Sequence, residues 1–331
     1  MKSASPTHLE VRSVRKINLF MPWSLTMSVG CVSAGTACAL LHGNVEPLMA
    51  VVCYLFAIFL QLGGNVMFNY YRQKRFLDTK PDKALISQLN IDKVFMQLLP
   101  TISRAMVVLA LMCSFVIISM SYWWAIGFGI VIGVLSYLSV SGHKQFAANG
   151  WHLLLTFILF GPVTVIGTTV VQSAYGAGDN PFNYFDLAPA LYMSLIAATM
   201  CMDIDAVRIY DGNSNPMSLA VVPADKRWGL KKLKTFLLAE GVAELVLCSA
   251  VAVYVATAGF DVIWWTISVL AGIGSLGINL FVIAKLPPKG MPVAGIIKTM
   301  LYLKAIIGGL TALVEFGILG LPNDNPHYLF M

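Results

Sequence analysis

Long apolar runs separated by short polar stretches dominate this sequence. The hydrocarbon core of a membrane is about 30 Å thick and needs roughly 20 apolar residues per helix, and runs near that length recur along the chain. The pattern predicts nine transmembrane helices, over 17–41, 47–71, 94–120, 122–141, 151–173, 187–202, 235–258, 260–284 and 299–320. The sixth run is the shortest, and its helix could continue past Met202 with a wet end. We therefore expect an all-α, polytopic membrane domain over 17–320.

The positions of Lys and Arg predict how these helices are oriented. With nine spans, all but two of the 22 basic residues fall in the N-terminal arm, 1–16, or in loops on its side. The two exceptions, Arg104 and Lys304, lie inside predicted spans, and the opposite loops contain no Lys or Arg. Because basic loops stay in the cytoplasm, we expect a cytoplasmic N-terminus and a short non-cytoplasmic tail, 321–331. The expected location is the bacterial inner membrane or an equivalent.

Composition agrees with a membrane protein and excludes several other classes. The chain is 58% hydrophobic and 11% charged, with a mean hydropathy of +0.76, whereas a soluble domain has about 25% charged residues. The net charge of +6 is explained by topology and by attraction to anionic lipid, and basic residues in alternate loops do not form a nucleic-acid surface. The six cysteines lie in apolar runs without CxxC spacing, which predicts core-filling residues. The first apolar run is too long for a signal peptide and is expected to stay as the first span.

Two clusters of polar residues stand where predicted spans two and six end. The first runs from Asn65 to Arg72 and continues to Asp78 and Asp82, and the second runs from Met202 to Asp211. Carboxylates at a membrane rim suit Mg²⁺, which takes one or two carboxylates plus substrate phosphates, and nearby Arg and Lys would hold a diphosphate. The sequence predicts a site between the clusters, with solvated helix ends as the alternative. Its candidate metal ligands are Asp78, Asp82, Asp203, Asp205 and Asp211.

Ionisable residues inside the predicted spans form a third group. Glu240 and Glu244 are four residues apart on span seven, and Lys304 and Glu315 are eleven apart on span nine, so each pair shares a helix face. Such residues are costly in a membrane and usually functional. They either line a cavity, where they would bind a polar acceptor or relay a proton, or they form interhelical ion pairs, which is the interpretation we favour.

Several motifs resemble those of a known family. Ser141-Gly142 precedes a short loop, and the run from Phe160-Gly161-Pro162 through Gly167-Thr168 to Val171-Gln172 is similar to the fifth helix of the UbiA superfamily of intramembrane prenyltransferases. Asp203-Ile204-Asp205 with Arg208 resembles the second aspartate motif of that superfamily. Asn65, Asn69, Asp78 and Thr79 fall where its first motif would lie. The resemblance covers the whole chain and is strongest to the MenA-like branch, whose members prenylate 1,4-dihydroxy-2-naphthoate.

The aspartate motifs are degenerate in this chain. In the first, Phe68, Asn69 and Arg72 replace an asparagine and two aspartates of the family pattern. In the second, Val207 replaces the final aspartate, and other substitutions replace its asparagines and arginine. Only Asp78 and Asp203 remain in register.

The resemblance implies a nine-helix protein that transfers a prenyl group from a polyprenyl diphosphate to an aromatic, quinone-precursor-like acceptor. It implies Mg²⁺ as cofactor and Asp78 and Asp203 as catalytic residues. The diphosphate would contact Arg72, Arg208, Asn65, Asn69 and Lys144. The alternatives are a non-catalytic homologue that binds a prenyl lipid or serves as a subunit of another UbiA-family protein, and terpene-cyclase-like chemistry. A transporter is disfavoured, because no inverted pair of interrupted helices is evident.

Overall fold

The computed structural model describes residues 20–21, 24–41, 46–78, 93–123, 125–140, 151–173, 186–212, 229–257, 262–286 and 291–312. Apart from short turns, these residues are helical, which confirms the all-α expectation for this part of the chain. The helices are α1 (Leu25–Leu41), α2 (Pro47–Asp78), α3 (Lys93–Met120), α4 (Ala125–Val140), α5 (Trp151–Ile158), a π-helical segment (Leu159–Ile166), α6 (Gly167–Ser173), α7 (Leu187–Gly212), α8 (Leu230–Thr257), α9 (Val262–Lys285) and α10 (Met291–Ala312).

Five helical stretches are long and apolar enough to cross a membrane: Pro47–Tyr71, Val94–Met120, Leu153–Ser173, Leu230–Val253 and Thr266–Lys285. Shorter apolar helices cover Leu25–Leu40, Ala125–Ser136 and Leu187–Met200. A helix satisfies every backbone hydrogen bond within its own segment, which the hydrocarbon core requires. The protein is therefore a helical, multi-pass membrane protein.

Several helices extend beyond the apolar runs that predicted them. α2 continues past Tyr71 to Asp78, α7 continues past Met202 to Gly212, and α10 begins at Met291. The ranges 72–93 and 203–234, expected as loops, therefore begin with helical turns. Hydropathy marks where a chain leaves the hydrocarbon. It does not mark where the helix ends, because Arg, Gln, Lys and Leu all favour a helix in water too.

α5, the π-helical segment and α6 form one continuous rod around Pro162. Proline lacks the backbone N–H and clashes with the preceding turn, and the wider π-helical turn accommodates both effects. The Thr164 hydroxyl donates to the Leu159 carbonyl oxygen at 2.6 Å. Gly161 lies against the Ala190 carbonyl and Ser194 of α7, so that any Cβ at this position would overlap α7. The glycine at this position lets the two helices touch at the backbone.

Helices that follow each other in sequence pack side by side. Ser103 of α3 donates to the Gly63 carbonyl of α2 at 2.8 Å, and Gly272 of α9 lies against Cys248 of α8. α1 packs against α2, α6, α7 and α10. The first described helix is therefore in contact with the last. The largest apolar core lies between α1, the π-helical segment and α7–α10, and its fully buried members include Met193, Ile196, Leu233, Leu237, Ile297 and Leu301.

Interhelical contacts determine which helix ends meet. α1 begins beside the second half of α2, because Ser24 bonds to Asn65. α1 runs parallel to α6, because Gly35 lies beside Val165 and Thr36 bonds to Gln172. α7 runs antiparallel to this rod, because Gly161 packs on Ala190 and Ser194 bonds to Phe157. α2 and α7 therefore end at the same end of the bundle, which we call the motif end.

Candidate functional site

The two polar clusters identified in the sequence both lie at the motif end. Asp78 is the last residue of α2, and its side chain is exposed. Arg72 lies on the last turns of α2, and α7 carries the second cluster on its last turns, namely Asp203, Asp205, Arg208 and Asp211. For Arg72 and these four residues the structure describes the helical backbone only. Three further candidates, Asp82, Lys144 and Glu315, lie outside the described residues.

Asn65 ties α2 to the start of α1. Its side-chain amide nitrogen donates to the Phe20 carbonyl oxygen at 3.0 Å and to the Ser24 hydroxyl at 2.8 Å. Ser24 gives its own proton to the Met21 carbonyl at 2.8 Å, so it can only accept from Asn65. Because a carbonyl also only accepts, the orientation of the Asn65 amide follows from its partners.

Gln61 extends this connection one turn deeper. Its amide nitrogen donates to the Ser24 carbonyl at 2.9 Å, and its oxygen accepts a hydrogen bond from Ser28. Four polar side chains thus hold the first turns of α1 against α2. Sequence reasoning assigned Asn65 to the diphosphate and overlooked Gln61. Gln61 could have been found, because it is a polar residue four positions before Asn65 and so lies on the same helix face.

Asn69 lies one turn further along α2 and is also engaged within the bundle. It is 3% exposed, and its amide nitrogen donates to the Asn65 carbonyl at 3.1 Å. This bond shows that Asn65 and Asn69 share one face of α2. Both donors of the Asn65 amide and one donor of Asn69 are used inside the protein, so the structure favours an anchoring role for Asn65 over the predicted diphosphate contact.

The donor set at the motif end limits the kind of metal site that it could form. Within the described ranges, no group of three or more His, Cys, Asp or Glu side chains could hold a metal ion. The exposed carboxylate of Asp78, together with Asp203 on α7, would provide two oxygen donors. That number fits Mg²⁺ when substrate phosphates complete its coordination, and it does not fit an all-protein metal cage.

A buried ion pair joins α8 and α10 away from the motif residues. The Lys304 ammonium lies 2.8 Å from Glu244 Oε2, with side-chain exposures of 1% and 0%. Lys304 also donates to Asn279 Oδ1 of α9 at 2.9 Å, and Asn279 Nδ2 donates to the Leu237 carbonyl of α8 at 3.0 Å. The interpretation of these charges as interhelical ion pairs is confirmed for Glu244. The Glu244 side chain is fully buried, and its alternative role, lining a cavity, stays a prediction.

Glu240 is 3% exposed and lies one turn from Glu244 on the same buried face of α8. It is therefore enclosed by protein as well. Sequence reasoning missed Asn279, the third member of the polar triad formed by Glu244, Asn279 and Lys304. The signal was a single asparagine between Ile278 and Leu280 in an otherwise apolar helix, where an amide needs a partner.

Two polar contacts hold α1 to α6 at the far end of the bundle. Gln172 donates to the Thr36 hydroxyl at 3.0 Å, and Thr169 donates to the Gly35 carbonyl at 3.2 Å. All seven residues of α6 are buried. The part of the family-like motif that lies on α6 therefore forms the packing interface with α1.

Searches for related proteins gave partial sequence matches. No family model matches the chain. It is 26% identical over 159 residues to 1,4-dihydroxy-2-naphthoate octaprenyltransferase of Bacillus subtilis (strain 168), covering 47% of this chain and 50% of the relative. It is 25% identical over 220 residues to UbiA prenyltransferase domain-containing protein 1 of Danio rerio, covering 65% of this chain and 59% of the relative. The chain thus spans about half to three fifths of the length of the curated relatives that it matches.

Matches to solved structures extend over nearly the whole fold. The apo structure of a UbiA homologue from Aeropyrum pernix K1 has a TM-score of 0.58 at 16% identity, covering 91% of this chain and 99% of the homologue. A UbiA homologue from Archaeoglobus fulgidus, solved with DMAPP and Mg²⁺ bound, has a TM-score of 0.56 at 13% identity, with the same coverage. Digeranylgeranylglyceryl phosphate synthase has a TM-score of 0.52 at 13% identity, covering 90% and 99%. At these identities the matches establish the fold.

Proposed function

Since the chain belongs to the UbiA superfamily by sequence similarity and by fold, we propose that it is an intramembrane prenyltransferase. Its donor would be a polyprenyl diphosphate and its acceptor an aromatic, quinone-precursor-like molecule. The observation that carries this proposal is that α2, which ends at Asp78, and α7, which bears Asp203, both end at the motif end of the bundle. The Bacillus subtilis relative is named for transfer of an octaprenyl group to an aromatic acid.

The proposed reaction needs a group that stabilises the leaving diphosphate. In our proposal Asp78 and Asp203 would hold one Mg²⁺, with Asp82, Asp205 and Asp211 as further candidate ligands, and the bound ion would supply positive charge to the diphosphate. Arg72 and Arg208, one on each helix, bind diphosphate oxygens in fork geometry. Lys144 adds a point charge. Cleavage of the C–O bond to diphosphate leaves an allylic cation. The aromatic ring attacks this cation to form a C–C bond and then releases a proton to solvent, which restores its aromaticity. Stabilisation of the leaving anion would be the main catalytic effect.

We further propose the nine-span topology with a cytoplasmic N-terminus. The motif end would then face the cytoplasm, where soluble aromatic precursors and Mg²⁺ are available, and the prenyl chain would lie in an apolar cavity between the helices. The distribution of Lys and Arg between alternate loops supports this orientation.

Direct assay of diphosphate release tests the proposal. Purified protein in detergent would be given prenyl diphosphates of increasing length, an aromatic acid acceptor and Mg²⁺. We expect acceptor-dependent release of diphosphate together with a prenylated product. If the protein retains prenyl lipid but releases no diphosphate with any acceptor, the proposal is wrong.

The loss of several motif carboxylates favours a second candidate, a lipid-binding subunit without chemistry. In that case the chain would co-purify with another UbiA-family protein that carries intact aspartate motifs. Release of diphosphate without an acceptor, with a cyclised hydrocarbon as product, would instead indicate terpene-cyclase-like chemistry.

A further inference from the structure

The outer face of α3 carries three polar side chains in a row. Gln97, Thr101 and Arg104 are separated by four and three residues, so they lie within one sector of the helix surface. All three are exposed. The same sector continues with Val108, Leu111 and Phe115, which are 54%, 54% and 72% exposed. This face therefore points away from the bundle along its whole length. It is polar near the start of α3 and apolar further along the helix.

The length of α3 indicates the depth of these residues. Its apolar stretch, Val94–Met120, has 27 residues, which is about 40 Å of helix against a hydrocarbon core of about 30 Å. The far end is marked by the turn after Met120 and by Trp123, which is 80% exposed, as interfacial tryptophans are. Counting about 20 residues back from Met120 puts the near boundary of the hydrocarbon close to Thr101.

Arg104 then lies about one turn inside the hydrocarbon, at roughly 5 Å depth, and Gln97 lies about one turn outside it. The position of Pro100 agrees with this placement of the hydrocarbon boundary. It falls inside α3 and removes the hydrogen bond to the Met96 carbonyl, a loss that is tolerated best where water or headgroups are available.

Two serines further along α3 form hydrogen bonds to backbone carbonyls of the same helix. Such bonds cannot neutralise the charge of Arg104. Ser114 and Ser119 return their hydroxyl protons to the carbonyls of Leu111 and Val116, at 2.7 and 2.8 Å. An arginine has five N–H donors and a permanent charge. In the part of the chain that the structure describes, no hydrogen bond or ion pair of Arg104 is found. A lone charge at this depth needs a partner of opposite sign, and the described residues do not supply one.

We propose that Gln97, Thr101 and Arg104 form a binding site for the phosphate of an anionic phospholipid, here named the α3 lipid site. Arg104 extends along α3 to the headgroup level and binds two phosphate oxygens in fork geometry. Thr101 and Gln97 donate further hydrogen bonds, while the acyl chains lie on Val108, Leu111 and Phe115. This site lies on the outside of the bundle and is separate from the proposed diphosphate site.

Lipid titration of the full-length protein in neutral detergent, followed by native mass spectrometry, tests the site. The probes are phosphatidylglycerol, diacylglycerol with the same acyl chains, and inorganic phosphate. We expect Arg104→Gln to raise the dissociation constant for phosphatidylglycerol about tenfold, which corresponds to about 1.4 kcal/mol. We expect Thr101→Val to raise it about threefold.

Lys74→Gln is the matched control, because it also removes an exposed cation near the motif end, on α2. It should change the dissociation constant less than about twofold. Arg104→Lys should restore part of the affinity. Melting temperatures without lipid should be equal, since the Arg104 side chain is exposed.

Four results would overturn the inference. The first is unchanged phosphatidylglycerol binding in Arg104→Gln, and the second is an equal loss in Lys74→Gln, which would indicate general charge attraction. The third is diacylglycerol or inorganic phosphate binding as tightly as the intact lipid. The fourth is loss of a protein oligomer in Arg104→Gln at constant lipid content, which would assign this face to a partner chain.

Discussion

The Lys304 ammonium of α10 lies 2.8 Å from Glu244 Oε2 of α8, and neither side chain has more than 1% of its surface exposed. Asn279 of α9 accepts a hydrogen bond from the same ammonium group, so one cation joins three helices. The Lys304 ammonium reaches both its carboxylate partner and its amide partner only when all three helices assemble in a single register. The polar triad therefore specifies how the second half of the bundle packs.

Removing one member of the ion pair should be more harmful than removing both. Lys304→Met leaves the Glu244 carboxylate enclosed without its cation, and we expect a loss of about 3–5 kcal/mol in the free energy of unfolding. The double variant Lys304→Met, Glu244→Leu should recover most of that loss. Denaturant unfolding in detergent, followed by circular dichroism, gives both values. Equal stability of wild type and Lys304→Met would show that the ion pair does not stabilise this packing.

At Gly35, α1 lies directly against the π-helical segment and α6. A Cβ at this position would lie 2.5 Å from the Val165 carbonyl oxygen and 2.6 Å from Thr168 Cβ, so Gly35→Ala should destabilise the protein by about 1–3 kcal/mol. Gly133 is the matched control, because a Cβ there meets nothing within 4 Å. Gly133→Ala should leave the melting temperature unchanged or raise it slightly. If both substitutions lower it equally, helix contact at Gly35 is not the cause.

The bonds of Asn65 to the start of α1 predict a local effect of substitution. Asn65→Asp keeps the shape of the side chain but replaces its two N–H donors by an acceptor, which faces the Phe20 carbonyl and the Ser24 hydroxyl. We expect hydrogen exchange of the first-turn amides of α1 to rise about tenfold or more, which corresponds to at least about 1.4 kcal/mol of local stability. Ser24→Ala removes one of the two acceptors and should have a smaller effect. Unchanged exchange in Asn65→Asp would contradict the anchoring role.

Substitution of the proposed catalytic aspartates should lower turnover without unfolding the protein. Asp78→Asn and Asp203→Asn should each lower the rate of diphosphate release by about 100-fold or more, since each removes a negative ligand for the ion that neutralises the leaving group. Glu46→Gln is a suitable control, because Glu46 precedes α2 at the opposite end of the bundle and accepts from the Met49 backbone N–H at 2.7 Å. Turnover that survives in both aspartate variants would remove these residues from the site.

Removal of divalent ions should stop the proposed reaction reversibly. Two carboxylates and a diphosphate favour the small, octahedral Mg²⁺ ion, so treatment with EDTA should abolish diphosphate release and added Mg²⁺ should restore it. Ca²⁺, which prefers more oxygen ligands at longer distances, should restore little activity. Retained lipid should be the same throughout, which separates loss of chemistry from loss of substrate binding. Full activity in EDTA would show that Arg and Lys neutralise the diphosphate without a metal.

The sequence predicted the helices more accurately than it predicted their ends. Apolar runs identify hydrocarbon-crossing segments because each buried residue contributes a transfer free energy that depends on its type alone. The end of α2 was placed too early, since the turn that carries Arg72 is helical and polar at once. The continuation of the sixth helix past Met202, which the sequence allowed, is confirmed, because α7 ends at Gly212. Gly161 and Gly308 lie so close to α7 that a Cβ at either position would overlap it, and a glycine in an apolar helix is a local signal of such contact.

The roles of individual polar residues could be predicted only in part. Glu244 and Lys304 were recognised as charges that need partners, but their sequence separation does not say that they face each other. The amide of Asn65 was assigned to a ligand because it lies in a motif. In the structure its donors are used by Phe20 and Ser24, which are about 40 positions away in sequence.

The sequence by itself determined that this protein is an all-helical membrane protein with two polar clusters at helix ends, because the hydrocarbon core admits only backbones that satisfy their own hydrogen bonds. Only the tertiary structure decided that α2 and α7 end together, that Lys304 meets Glu244 and Asn279, and that Arg104 faces outward. These outcomes depend on which helix faces meet, and helix packing is set by side-chain shapes on two surfaces at once.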